Sequence, residues 1–386
     1  MKRNGLLAKT AVIITAIIMA FSFVTCSVTP TPTPTSSVQL DESHVQAPAP
    51  LQPPQPVPVP PPVYPGPGSS LTEKLSWLQT YAQTNTDYTI EINADESINP
   101  TTFSFSGLTN INITLIGIGE VRTISLSSNG SLFTIVSEVT LTLGNNITLQ
   151  GRSDNNASLV QVNSGGTLVM DDGSKIISNT TTGSGGAVLV NNATFTMNGG
   201  EIFGNTAYGG GGVEVYGTFT MNGGRIFSNT AYAGGGALVS GTFVMNGGDI
   251  SGNIAYGSGG GGVYVSGVFT MNDGKIFSNT AVYGGGGVGV LGTFTMNGGE
   301  ISENSTDGGG GGVGVIGTFR IVNGTIYGSN EPNTSLRNTA TNSGAALYVL
   351  SDATAQRGTF SGSTWNRSGD LSTTNNTIRV VNGNVQ

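Results

Sequence analysis

The stretch GTFTMNGGRIFSNTAYAGGG, residues 217–236, decides how this chain folds, because near-copies precede and follow it at an almost constant interval. Aligned on the Phe of TFTMNGG, the copies place Phe195, Phe219, Phe243, Phe269, Phe294 and Phe319 every 24 to 26 residues. Within one copy the apolar residues alternate as a strand requires. Val213 and Val215 of GGVEV share a face, Phe219 and Met221 of TFTM share a face, and Ile226 of RIFSN points with them. Clusters of Gly and Asn, residues that tolerate positive φ, separate these runs. Three short strands and three corners per ~25 residues predict one turn of a right-handed parallel β-helix. A leucine-rich repeat has a similar period but needs regularly spaced Leu that these copies lack. A propeller blade needs about 40 residues.

Successive turns of such a fold lie ~4.8 Å apart, so equivalent positions stack. The repeat therefore predicts a Phe column, a sulfur column from Met197 to Met296, and an Ile column through Ile202, Ile226, Ile250, Ile276 and Ile301. Asn205, Asn229, Asn253, Asn279 and Asn304 recur at one corner, where their amides can form a hydrogen-bonded ladder. The residue before each column Ile reads Lys175, Glu201, Arg225, Asp249, Lys275 and Glu300, an alternation of sign suited to outward neighbours on adjacent strands. Degenerate copies at 131–151 and 167–180 extend the array upstream. SGAALYV (343–349) and NNTIRVVNG (375–383) are expected to be terminal coils, so the β-helix should run over 86–386. Before it, SLTEKLSWLQTYAQ (70–83) carries the capping-box pair Ser70 and Glu73. Leu71, Leu75, Leu78 and Tyr81 lie on one helical face, which predicts a capping helix over 70–85.

The first 25 residues read as an export signal: Lys2, Arg3 and Lys9 precede an apolar run from Ala11 to Val24 that is too short to span a membrane. Cys26, the single cysteine, follows this run directly, where a lipoprotein signal is cleaved and the new N-terminal Cys is acylated. Residues 26–69 read as a linker. Fourteen of the 16 prolines lie between Pro30 and Pro67, a composition that gives an extended spacer. The single histidine, His44, falls within this segment and has no expected chemical role.

The composition narrows function. A formal net charge of −8 disfavours nucleic acid as a partner. One cysteine allows no internal disulfide, and one histidine outside the repeats leaves no usual zinc site or nucleophilic triad, so no metal or cofactor is expected. Polysaccharide-cleaving β-helix enzymes cluster Asp and Glu on one outward face, whereas Asp171, Asp172, Asp273 and Asp307 are scattered among the copies. A polysaccharide lyase or glycosidase is the alternative reading. Thr-x-Thr pairs at 194–196, 218–220 and 293–295 raise a second one, an ice-binding solenoid, although Val244, Val268 and Arg320 interrupt the rows. Tyr208, Tyr232, Tyr256 and Tyr283 recur near one corner, either sealing it or offering contacts.

GGAV (185–188) and GGAL (235–238), followed by Ile-x-x-Asn runs such as Ile226–Asn229, resemble the repeats of polymorphic outer-membrane proteins, whose marks are GGA[ILV] and FxxN. Most copies here read GGGV, and Ile replaces the family's Phe. The order of signal, Cys26, proline-rich spacer, SWLQTYAQ helix and MNGG array is similar to repetitive surface lipoproteins of treponeme-type spirochaetes. That resemblance implies a non-catalytic display, adhesion or structural module on the bacterial envelope. Its lipid would sit in the outer membrane, and its partner would be a surface protein or glycan of a host or neighbouring cell; simple secretion is the alternative location. The autotransporter relatives end in a membrane barrel, a role the acyl group on Cys26 is expected to take here.

Overall fold

The computed structural model describes residues 69–386; the expected signal, Cys26 and the proline-rich linker lie outside the described residues. The repeats form a parallel β-solenoid of about ten turns, of the right-handed type the repeat predicts. Each turn contributes one strand to sheet A, then one to sheet B, then one to sheet C, and these contain 12, 12 and 10 strands. Every copy stacks in register on the next. Thr218–Met221 pairs in parallel with Thr194–Met197 on one side and Thr242–Met245 on the other, Phe against Phe and Met against Met.

The core consists of the columns read from the repeat. Phe195 through Phe319 are fully buried, and neighbouring rings are stacked with centroids 4.5 to 5.1 Å apart. The Met and Ile columns are equally buried. Two ladders of side-chain amides run along the solenoid with opposite polarity. In the buried one, Asn205 Nδ2 donates to Asn229 Oδ1 at 3.0 Å, and the chain continues through Asn253, Asn279 and Asn304 to Asn338. Each Oδ1 also accepts the backbone N–H of the preceding ladder residue, as Asn253 does from Asn229 at 3.0 Å. The residue before the ladder Asn is held at positive φ in six successive coils, at Ser178, Gly204, Ser228, Gly252, Ser278 and Glu303, whereas Arg337 before the last ladder residue, Asn338, has φ −69°. The second ladder is exposed, at the corner between sheets A and B. There Asn222, Asn246, Asn272 and Asn297 each donate to the coil before them, and Asn198 donates to the Asp171 carboxylate.

A fourth sheet, D, was not legible in the repeat. Six short strands, beginning with Thr206–Gly209 and Thr230–Ala233, form it between the Asn corner and sheet C. Its Ala207, Ala231, Ala255 and Ala281 are buried outside the main core, while Tyr208, Tyr232 and Tyr256 alternate outward.

The ends are closed differently. At the start, helix Leu71–Tyr81 forms the expected capping box. Its buried Leu71, Leu75 and Leu78 join the core of the first coils. Leu71 N–H donates to both carboxylate oxygens of Glu96, at 2.8 and 2.9 Å, which satisfies a helix-terminal donor. Buried Lys74 donates from Nζ to the Glu91 carbonyl at 2.6 Å. At the far end, Leu347–Val349 is the last parallel strand of sheet C. NNTIRVVNG does not form a coil: Ile378–Val381 folds back antiparallel on Gly324–Ile326. Thr354–Ser361 and Thr364–Asp370 make an antiparallel hairpin at the end of sheet A. Antiparallel return strands cover edges that another parallel coil would otherwise extend.

Candidate contact surface

Sheets A and B carry the polar outer faces. On sheet A, Thr194, Thr218 and Thr242 stack in one row, and Thr196 and Thr220 in another. Val244 and Val268 stand in the same rows, with Arg320 closing one of them. On sheet B the alternating stripe pairs in register, Lys175 beside Glu201, Glu201 beside Arg225, and Lys275 beside Glu300. These form ion pairs at 3.2, 3.6 and 3.7 Å. Arg225 also lies over the Phe227 ring, 4.4 Å from its centroid. The stripe is structural: its charges face one another along the stack.

The acids weighed for catalysis do not converge. Asp171 accepts from Asn198, and Asp273 Oδ1 accepts from the Gly274 N–H at 2.8 Å, both at the corner between sheets A and B but four coils apart. Asp172 is exposed at the same corner as Asp171, and Asp307 is exposed next to the last strands of sheet D. Among the described residues, no three His, Cys, Asp or Glu side chains are grouped as metal ligands, and no helix is long and apolar enough to cross a membrane.

The side formed by sheets D and C differs. Tyr208, Tyr232, Tyr256 and Tyr283 stand outward, 38 to 64% exposed, so they do not seal the core. Tyr208 and Tyr232 stack at 4.9 Å, and Tyr232 meets Tyr256 edge-on at 5.8 Å. Tyr208, Tyr232 and Tyr256 are thus ordered by ring contact yet open to solvent, while the register of sheet D sets Val282, and not Tyr283, in line with Tyr256.

The outward column of sheet C is the least repetitive feature of the chain. It reads Gln161, Leu189, Glu214, Leu238, Tyr264, Gly289, Gly314 and Tyr348. Sheet D folds over part of this column, so "outward" there does not mean solvated. Glu214 is only 3% exposed. Its Oε1 accepts from the Tyr216 hydroxyl at 2.7 Å, while Oε2 is buried without a partner. That hydrogen bond, reinforced by burial, raises the Tyr216 phenol above its ordinary range. In the strand VEV the Glu reads as an ordinary exposed position; only the overlying Gly209 strand, which the sequence did not reveal, buries it. Glu214→Leu, matching its column neighbours Leu189 and Leu238, is expected to stabilise the protein by about 1–3 kcal/mol, because a half-satisfied carboxyl is replaced by an apolar group. Chemical denaturation compared with wild type checks this.

Further along the column lies a notch of about 270 Å³, lined by Gly289 and Gly314 together with Tyr264, Tyr348 and Tyr283. The signal for it is the change from VEV and VYV to VGV at 288–290 and 313–315. Cys26 lies outside the described residues. The chain matches no family model, no curated protein and no solved structure.

Proposed function

We propose that the chain is a non-catalytic display and adhesion module of a bacterial envelope. Residues 26–69 space the solenoid from an acyl anchor on Cys26, which we place in the outer membrane with the solenoid facing outward. The observation that carries this reading is the solvent-open tyrosine row on a stack of otherwise self-satisfied coils. The Phe, Met, Ile and Asn columns are engaged with copies of themselves and the charged stripe with opposite charges, whereas the tyrosines present aromatic area without a covering layer. Exposed aromatics of this kind supply contact area at low conformational cost. Its motif resemblance to the repeats of polymorphic outer-membrane proteins, and its overall layout like that of spirochaete surface lipoproteins, support the same assignment.

The test is saturable binding of the purified full chain to host and neighbour-cell surfaces, with Tyr208→Ser/Tyr232→Ser as the weakened variant. Reproducible cleavage of acidic polysaccharides by the wild-type chain would overturn the reading in favour of an enzyme. For the anchor, Cys26→Ser is expected to move the protein from the detergent phase to the aqueous phase in a two-phase extraction. Unchanged partitioning would contradict acylation.

A further inference from the structure

We infer that the notch on the outer face of sheet C binds a neutral sugar ring; this rests on the adhesion reading and names the chemistry of its partner. Where the earlier coils of the column carry a side chain, Gly289 and Gly314 carry none, and a Cβ at either would meet the backbone of the glycine runs that cross it, 2.7 Å from Gly259 and 2.9 Å from Gly285. The notch lies along this crossing, lined by both glycines and by the tyrosine rings. Tyr264 and Tyr348 bound the gap, three coils apart, or about 14 Å at the spacing of adjacent strands.

The walls are fixed in advance. A Cβ on Gly259 would fall 2.6 Å from Cγ of Tyr264, and one on Gly309 would fall 2.8 Å from Cγ of Tyr348. Each ring therefore lies flat against a glycine backbone that only glycine leaves open. The rings are held before any ligand arrives, so binding costs little side-chain entropy. Ile316 and Leu350 are exposed beside them, and the exposed Tyr283 completes the lining.

Charge and hydroxyl content select the occupant. No charged side chain lines the notch, so neither a cationic nor an anionic ligand finds a counter-charge there. Three tyrosines and Ser258 are the lining residues that carry hydroxyls, in a surface that is otherwise mostly apolar. A pyranose presents C–H faces to aromatic planes and hydroxyls to such donors. A purely aliphatic occupant would desolvate the hydroxyls without pairing them. At about 270 Å³ the space is smaller than the usual 300–1,000 Å³ of drug-sized sites, which suits one ring or the end of a neutral glycan.

The experiment titrates the full chain with the methyl glycosides of glucose, galactose and N-acetylglucosamine, and in parallel with galacturonate and N-acetyl-leucinamide. Saturation-transfer NMR and tyrosine fluorescence report binding. At least one neutral glycoside is expected to bind, weakened about tenfold by Tyr348→Leu and by Tyr283→Ser, and unchanged by Thr218→Ala on the exposed outer face of sheet A. Tyr283 is exposed, so its variant remains informative if Tyr348→Leu does not fold. The assignment is overturned if no neutral glycoside binds, if galacturonate or N-acetyl-leucinamide binds in preference, or if Tyr283→Ser leaves glycoside binding intact. Cell adhesion that persists without glycoside binding would remove the sugar and leave the adhesion reading standing; glycoside binding without cell adhesion would do the reverse.

Discussion

Phe243→Asp is expected to abolish the cooperative folding of the central coils. The ring lies fully buried between Phe219 and Phe269, with centroids 4.5 and 4.7 Å away and planes within 10° and 12° of parallel. Removing a buried Phe costs about 3–5 kcal/mol through lost transfer energy and the cavity left behind. An unpaired carboxylate in the same place adds several more, because no donor lines the column. The sum, about 5 kcal/mol or more, is comparable with the whole stability of an ordinary domain. In a solenoid each coil is held by its two neighbours, so the defect should divide the stack into two weakened halves. Circular dichroism during urea unfolding should show an early transition that wild type lacks. Phe243→Leu, which keeps the column apolar, should lower stability by only about 1–2 kcal/mol. An unaltered melt of Phe243→Asp would show that this column does not face inward.

Asn253→Ala should be nearly as damaging, although it removes a polar side chain. Asn253 Oδ1 accepts from the N–H and the Nδ2 of Asn229, at 3.0 and 3.1 Å, and its own Nδ2 reaches the Ile226 carbonyl and Asn279 Oδ1. Truncation leaves two donors and a carbonyl of neighbouring coils buried without those partners, each costing about 1–3 kcal/mol, for a loss of about 3–5 kcal/mol. The exposed ladder supplies the control. Asn246 makes the same amide-to-amide bonds, at 2.9 and 2.8 Å, but water replaces them when the side chain is removed. Asn246→Ala should therefore cost below about 1 kcal/mol. Equal losses at the two positions would show that burial does not set the strength of these ladders.

What the sequence conveyed and what it withheld divide along one line. Features that recur at a single position in every copy were legible: the Phe, Met and Ile columns, the corner Asn, the charged stripe. Stacking makes each of them a one-dimensional pattern. Sheet D escaped because its strands are only two to four residues long and end in glycine runs that read as a corner. Glu214 escaped because its burial comes from sheet D and not from its own strand. The notch escaped because glycine in a glycine-rich chain carries no visible signal until its column neighbours are known. The folded-back strand at Ile378 escaped because alternation reads the same in parallel and antiparallel pairing. Among the candidate contacts, the tyrosine row was legible as a recurrence, but its exposure depends on which way sheet D faces.

The charged stripe gives the solenoid a parity. The Phe, Met, Ile and corner Asn columns repeat at each coil, but the sign on sheet B repeats only at every second coil. Excision of one copy, residues 225–248, would set Glu201 directly against Asp249, like against like. Excision of two, residues 225–274, would set Glu201 against Lys275 and keep the alternation. The rod is thus best lengthened or shortened two turns at a time, and natural length variants of such a chain should differ by even numbers of coils.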